Sequence, residues 1–144
     1  MENARSSPLF RQVVLDTTDA RGLAEFYRQL LGLVYRAGDE PPAGDQPDER
    51  GRDWLVIHHP SGSPRIAFQQ VAALRRSTWP QEDVPQQLHL DLTVPTVRDL
   101  DLQHARALEL GATLLHDRAH HPQEPLRVYA DPAGHPFCIF VAFA

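Results

Sequence analysis

The feature that most constrains the fold of this chain is an internal duplication. Residues 12–17 form a strand-like stretch followed by a helical pattern that a glycine closes, and residues 87–94 begin the same sequence of patterns again. A second echo aligns residues 56–68 with residues 128–140 without a gap, with Val, Pro, Gly, Pro and Phe at matching places. Self-similarity of this kind fixes an architecture before any local assignment is made. We therefore predict two copies of one unit built from a strand, a helix and further strands.

The length of the chain sets how these two copies must be arranged. With 144 residues the chain has the size of one domain, and two half-sized modules have to share a single core. We place module one at about residues 9–71, a linker at about 72–86 and module two at about 87–144.

Charge and cysteine content exclude several classes of function. The net charge is −5 and the basic residues are scattered, so there is no footprint for nucleic acid or for an anionic membrane surface. A single cysteine cannot form an internal disulfide, and no apolar run has the length of a signal core or a membrane span. We expect a cytoplasmic protein.

The stretch at residues 87–94 alternates strictly between apolar and polar side chains. Side chains of a strand point to opposite faces in turn, so the four apolar residues can pack against a helix while the polar ones point the other way. Such a polar face is usually the wet side of a sheet. Because the segment has a twin in module one, we predict instead that both polar faces line a pocket. The polar residues are Gln87, His89, Asp91 and Thr93, with Gln12 and Asp16 in the twin.

Capping signals predict where the two helices begin and end. Residues 17–19 offer side-chain oxygens at the start of the first helix, and Gly32 ends it. Thr96 and Asp99 resemble a capping box for the second helix, which ends at Gly111. Its predicted buried side consists of Val97, Leu100, Ala107 and Leu108.

Residues 37–53 lack periodicity and are rich in Pro, Gly and charge, which predicts a mobile loop. The loop is either a lid over the pocket or, as we favour, a tolerated insertion. Hairpins are predicted at residues 54–58 with 64–71, and at 127–130 with 137–143.

Three motifs carry a family resemblance. They are Ala-Glu-Phe-Tyr-Arg-Gln-Leu-Leu-Gly-Leu at residues 24–33, His-Leu-Asp-Leu-Thr-Val at 89–94 and Asp-Pro-Ala-Gly-His-Pro at 131–136. With the duplication, they make the chain similar to the vicinal oxygen chelate superfamily, in its glyoxalase-like branch, which also includes bleomycin-resistance proteins and extradiol dioxygenases. The resemblance implies an α+β fold of two tandem βαβββ modules. Their mixed or antiparallel sheets would curl around a cleft with the helices on the outer face. Members of the superfamily usually bind a divalent metal in the cleft, and a homodimer is expected.

The resemblance also implies where metal ligands would stand. Metal-using members take one ligand from the first strand of each module, commonly His or Gln, and one from the last strand, commonly Glu. These places fall on Gln12, Ile66, His89 and Cys138. If the module-one alignment is shifted, Gln69 or Gln70 would replace Ile66. Ions such as Mg, Mn or Ni ordinarily take carboxylate, imidazole and water, so this degenerate set predicts that no metal cofactor is bound. A divalent metal held with the help of Asp16 and Asp91 remains the alternative.

The role of His89 has two interpretations. A histidine on a strand is commonly satisfied by a neighbour such as Asp91 or Gln87 and has no chemistry. Its match to a ligand position of the family favours a role in the pocket, as a hydrogen-bond partner or general base and thus the one candidate catalytic residue. Cys138 lacks an identified basic neighbour, so a nucleophilic role is not predicted.

Three functions remain open. The first is a small-molecule binding protein of the bleomycin-resistance type. The second is a metal-dependent lyase, isomerase or dioxygenase, and the third is a vestigial domain that acts through dimerisation. For the first, the predicted walls and floor of the cleft are Gln12, Asp16, Trp54, Phe68, Trp79, His89, Asp91, Tyr129 and Cys138. Trp79 stands in the linker, where an aromatic residue serves as often as a plug between modules.

Overall fold

The structure is a computed structural model that describes residues 7–142. The predicted end of the last strand at residue 143 lies outside this range. The elements follow one another as β1 (Val13–Thr17), α1 (Ala20–Leu31), β2 (Val34–Tyr35), a short 3-10 helix (Arg50–Arg52), β3 (Trp54–His58), β4 (Arg65–Gln70), β5 (Leu90–Val94), α2 (Val97–Leu110), β6 (Thr113–Arg118), β7 (Leu126–Ala130) and β8 (Pro136–Val141).

The duplication predicted from the sequence appears as two four-stranded sheets of identical topology. The strand order is β1-β4-β3-β2 in module one and β5-β8-β7-β6 in module two. The first and last strands of each module pair in parallel, and the remaining pairs are antiparallel. The fold is therefore α+β with two βαβββ modules, as predicted, and the described strands form no closed barrel.

Both helices begin and end where the capping signals place them. The Asp19 side chain accepts a hydrogen bond from Gly22 N at 3.0 Å, and Gly32 ends α1 with φ +66°. Thr96 Oγ1 accepts from Asp99 N at 3.1 Å. Of the predicted buried side of α2, Leu100 and Ala107 are buried, but Val97 and Leu108 are 46% and 41% exposed, so the prediction is wrong for these two. Neither helix within residues 7–142 is long and apolar enough to cross a membrane.

One core serves both modules. Tyr27 of α1 stacks on Phe68 of β4 with ring centroids 6.1 Å apart and meets Phe137 of β8 edge-on at 6.0 Å. Tyr129 of β7 stacks on Phe137 at 5.2 Å. These four fully buried rings connect the helix-facing sides of the two sheets, and each contributes roughly 2 kcal/mol of burial free energy. The helices thus cover one side of the sheets and leave the opposite side, here called the cleft face, to the pocket.

The loop at residues 37–53 is tied to the helix side of module one. Asp39 is fully buried, and its carboxylate accepts from Val56 N at 3.0 Å and pairs with Arg36 and Arg50 at 3.0 and 3.2 Å. Arg21 of α1 holds Asp48 at 2.7 Å. The prediction of a mobile loop overlooked these anchors, because composition alone does not show which carboxylate finds buried partners.

Candidate ligand-binding pocket

A hollow of about 340 Å³ lies between the cleft face of module two and the linker. We call it the module-two pocket. It is lined by Trp79, Gln86, His89, Asp91, Glu124, Leu126, Val128, Cys138 and Phe140. None of these residues comes from the loop at 37–53, so that loop does not form a lid over this pocket.

Strand register explains why these residues meet. Asp91 of β5 stands opposite Cys138 of β8, and Cys138 stands opposite Val128 of β7. Directly opposed residues share a face of a sheet, so all three point into the pocket. The alternation adds Leu126 on β7 and Phe140 on β8. The floor of the pocket is therefore apolar, and its polar groups gather at the β5 edge of the sheet.

Cys138, Asp91 and His89 form a compact polar cluster at that edge. The Cys138 thiol donates to Asp91 Oδ1 at 2.8 Å, and His89 Nε2 lies 3.2 Å from the same oxygen. The potential ligand atoms of the three residues all lie within 4.8 Å of one another. Cys138 is 5% exposed, whereas the side chains of His89 and Asp91 are half-exposed. Two causes raise the pKa of the Cys138 thiol to about 12: burial is the larger, and the hydrogen bond to Asp91 is the second. The thiol is therefore a protonated donor and not a nucleophile at neutral pH.

The linker covers the other side of the pocket. Trp79 meets His116 of β6 edge-on, with ring centroids 6.4 Å apart. The side-chain oxygen Oε1 of Gln86 is buried and has no hydrogen-bond partner within residues 7–142. A buried amide oxygen without a donor costs about 1–3 kcal/mol, so this atom marks a place where a bound group could donate a hydrogen bond.

A second cavity of about 430 Å³ lies beside the first, on the module-one side of Gln86. It includes Asp16, Gln69 and His135 in its lining. His135 Nε2 lies 2.7 Å from the backbone oxygen of Asp16, which links the last hairpin of module two to β1. Gln86 thus stands at the boundary between the two cavities.

The structure brings together some of the predicted site residues and separates others. Trp79, His89, Asp91 and Cys138 come together in the module-two pocket, while Asp16 lines the neighbouring cavity. Gln12 Oε1 accepts from Arg65 Nε at 3.4 Å, outside both linings. Trp54 stands opposite Gln69 in the sheet and lines neither cavity.

Phe68 and Tyr129 do not wall the cleft, contrary to the sequence prediction. Both are fully buried on the helix-facing side of their sheets, where Phe68 stacks on Tyr27 and the Tyr129 hydroxyl lies 2.7 Å from His104 Nδ1 of α2. The prediction chose them for their aromatic character and did not assign a face to each strand position. Strand alternation places their neighbours on the cleft face instead.

Ile66 is not the counterpart of Cys138. Val13 pairs with Ile66 in module one and Leu90 pairs with Phe137 in module two, so Ile66 corresponds to Phe137 and Ala67 to Cys138. The gap-free alignment fails because the first hairpin loop is one residue longer. Its closing bond runs from His59 N to Pro64 O, whereas the second runs from Asp131 N to His135 O.

The residues that sequence reasoning missed are Gln86, Glu124, Leu126, Val128 and Phe140. Val128 and Phe140 could have been predicted from strand alternation. Phe140 lies two residues from Cys138 on β8, and Val128 stands opposite Cys138 on β7, so all three share a face of the sheet. Gln86 and Glu124 stand in irregular segments, where periodicity carries no information.

The four-ligand metal site implied by the family resemblance does not fit these residues. The side chain of Ala67 has no atom that could bind a metal. The side-chain oxygen Oε1 of Gln12 already accepts a hydrogen bond from Arg65 Nε. Gln70 faces α1, where its Oε1 accepts from Ala20 N at 2.8 Å. Gln69 lines the second cavity and not the module-two pocket. Within residues 7–142, the one group of three or more His, Cys, Asp or Glu side chains close enough together to hold an ion is His89, Asp91 and Cys138.

Comparisons with known proteins agree with this architecture. A family model described as glyoxalase-like domain matches residues 12–140. No curated protein matches in sequence. A glyoxalase/bleomycin resistance protein/dioxygenase family enzyme from Burkholderia phytofirmans PsJN superposes with a TM-score of 0.65 at 20% identity, covering 92% of this chain and 98% of that one. A glyoxalase/dioxygenase from Nostoc punctiforme gives 0.63 at 18% identity, with 100% of both chains covered.

A third similar structure is a variant of the fosfomycin resistance protein FosX from Listeria monocytogenes, complexed with Mn(II) and 1S,2S-dihydroxypropylphosphonic acid. Its TM-score is 0.66 at 12% identity, with 97% of this chain and 95% of that chain covered. At these identities the likeness establishes the fold alone. The family model covers most of the chain, and its match shows that the chain belongs to the glyoxalase-like domain family.

Proposed function

We propose that this protein binds a small organic molecule in the module-two pocket. The observation that carries the proposal is a concave hollow of about 340 Å³ that combines an apolar floor with convergent polar groups. Sites for small molecules have this composition, with a few polar groups that fix orientation over a mainly apolar lining. The unpartnered Gln86 Oε1 adds a polar group that a ligand would satisfy.

The polar cluster defines what such a site can do to a ligand. The Cys138 thiol donates to Asp91 and keeps this carboxylate in place, so the thiol acts as a positioning group. His89 is half-exposed at the pocket edge and is the side chain that would exchange a proton with a bound molecule.

A screen with a pocket-filling variant tests the proposal. Small metabolites are screened by thermal shift, since a ligand bound only by the folded state raises the melting temperature. Val128→Phe fills the floor of the pocket, and Val34→Phe makes the same change at a position that is 43% exposed on β2. Hits should be lost in Val128→Phe and kept in Val34→Phe. Hits that Val128→Phe retains would contradict the assignment, and a screen without hits would favour an interaction domain.

The His89, Asp91 and Cys138 cluster favours a second candidate, a metal-dependent enzyme. Imidazole, thiolate and carboxylate are ligands of zinc and related ions, and three protein ligands leave a position open for substrate. An ion there would supply Lewis-acid chemistry to a bound substrate. Titration of the chelator-treated protein with Co²⁺ separates the candidates. A thiolate-to-cobalt absorption band that disappears in Cys138→Ser supports the enzyme, and absence of the band supports the metal-free binder.

A further inference from the structure

We infer that the module-two pocket selects a protonated amine attached to an apolar body. This inference rests on the proposed function and specifies its ligand class. Three properties of the pocket carry it, namely the sign of the charge on its lining, the supply of hydrogen-bond acceptors and the nature of its walls.

The formal charges in the lining are negative. Asp91 and Glu124 contribute carboxylates, and no arginine belongs to the lining. His89 Nε2 lies 3.2 Å from Asp91 Oδ1 and carries a positive charge only when it is protonated. The arginine recorded at this pair is Arg118, whose Nη2 lies 3.9 Å from Glu124 Oε2, with both side chains at least 40% exposed. An exposed contact at that distance is screened by water and leaves most of the negative potential in place. An anionic ligand would be repelled, and a cationic one attracted.

Among the described residues, the buried polar atom of the lining that lacks a hydrogen-bond partner is an acceptor. Gln86 Oε1 is buried and unpartnered, and both recorded contacts of the Asp91 carboxylate fall on Oδ1. Asp91 Oδ2 makes no hydrogen bond within the described part of the chain. A primary ammonium group carries three donors and no acceptor, so it is complementary to this set. A carboxylate or phosphate would bring further acceptors and leave the Gln86 oxygen unsatisfied.

The rest of the lining is apolar or aromatic. Leu126, Val128 and Phe140 form the floor, and Trp79 stands at the linker side. An indole ring attracts a cation over its face, and the floor buries an alkyl or aryl body. An inorganic ion would use the carboxylates but leave this apolar surface empty. The combination therefore fits an organic cation.

The test compares matched ligands on chelator-treated wild-type protein by saturation-transfer NMR. The panel contains benzylammonium, phenethylammonium and cyclohexylammonium, each with the alcohol and the carboxylate of the same carbon skeleton. The ammonium members should bind roughly tenfold more tightly than their alcohols, because an opposite charge at close range in a partly buried site attracts the ligand. The carboxylates should be the weakest.

Variants identify the groups responsible. Glu124→Gln and Asp91→Asn should each weaken ammonium binding several-fold and leave alcohol binding unchanged. Glu109→Gln removes the same charge from an exposed position of α2 and should have no effect. Alcohols or carboxylates that bind as tightly as the ammonium ions, and still compete at the Val128→Phe-sensitive site, would overturn the ligand class and leave the pocket intact. If no panel member binds while the metabolite screen yields pocket-dependent hits, the ligand class is again overturned. If neither experiment gives a hit, the proposed function fails as well.

Discussion

The Sγ atom of Cys138 donates a hydrogen bond to Asp91 Oδ1 across the parallel pair β5 and β8, at 2.8 Å. The two residues are directly opposed in the register, so the contact follows from strand pairing. Burial and the neighbouring carboxylate together raise the pKa of the thiol to about 12. The arrangement makes Cys138 a donor in the wall of the pocket.

Replacement of Asp91 by Asn should increase the reactivity of Cys138. The change removes a negative charge that disfavours the thiolate, so the pKa of the thiol falls, and each unit of fall raises the thiolate fraction about tenfold. The rate of alkylation by neutral iodoacetamide, compared between the two proteins at each pH from 7 to 10, reports their relative thiolate fractions. Asp16→Asn, in module one, is the control for the change in net charge. An unchanged alkylation rate in Asp91→Asn would contradict the role assigned to the carboxylate.

The ends of the helices could be predicted from the sequence because their signals are local. Asp19, Thr96 and the two closing glycines act within a few residues of the helix ends, so no tertiary information is needed to place them. The βαβββ order of the modules followed from the family resemblance, whereas the parallel pairing of the first and last strands was not predicted.

The lining of the site was harder to predict because both faces of β7 pack against other parts of the protein. Val128 faces the pocket and Tyr129 faces α2, so apolar residues occupy both parities and alternation does not distinguish them. One additional residue in the first hairpin loop shifted the module-one alignment and assigned Ile66 to the wrong face. Tertiary structure alone brings Gln86 and Asp91 into the lining of one pocket.

The buried carboxylate of Asp131 should give stability a characteristic pH dependence. It accepts hydrogen bonds from the Tyr27 hydroxyl at 2.7 Å and from Ala133 N and His135 N at 2.9 and 3.0 Å. Burial raises the pKa of Asp131 above 3.8 despite these bonds. A raised folded pKa contributes stability that is fully present below the unfolded pKa and is lost as pH rises through the folded value.

Urea unfolding of wild type and Asp131→Asn from pH 3 to 7 tests this sign. The difference in unfolding free energy, wild type minus variant, should decrease as pH rises. Glu25, Asp48 and Asp117 have lowered pKa values and act in the opposite direction, but they remain in both proteins and cancel in the difference. A difference that grows with pH would show that the hydrogen bonds to Asp131 lower its folded pKa more than burial raises it.

Asp39→Ala should release the loop at residues 37–53. The substitution leaves Val56 N without its acceptor and Arg36 and Arg50 without their shared partner, which should cost about 2–4 kcal/mol of unfolding free energy. Limited trypsin digestion should then cleave after Arg50 and Arg52 faster than in wild type. Asp45→Ala, at an exposed position of the same loop, should change neither stability nor cleavage. Equal digestion of the two variants would mean that Asp39 does not anchor the loop.

Removal of the Arg127 side-chain charge should cost less unfolding free energy than removal of the two carboxylates that pair with it. The side chain is 9% exposed on the helix face of β7 and pairs with Asp101 at 3.0 Å and Asp117 at 3.2 Å, whose own side chains are 64% and 43% exposed. Arg127→Met leaves the two carboxylates in contact with water and keeps the apolar packing, so it should cost less than about 1.5 kcal/mol. The double change Asp101→Asn with Asp117→Asn leaves a buried guanidinium unpaired and should cost about 3 kcal/mol or more. Urea unfolding of the two proteins at pH 7 compares these costs directly. If Arg127→Met is the more damaging change, the guanidinium stabilises the fold through packing and backbone contacts more than through its ion pairs.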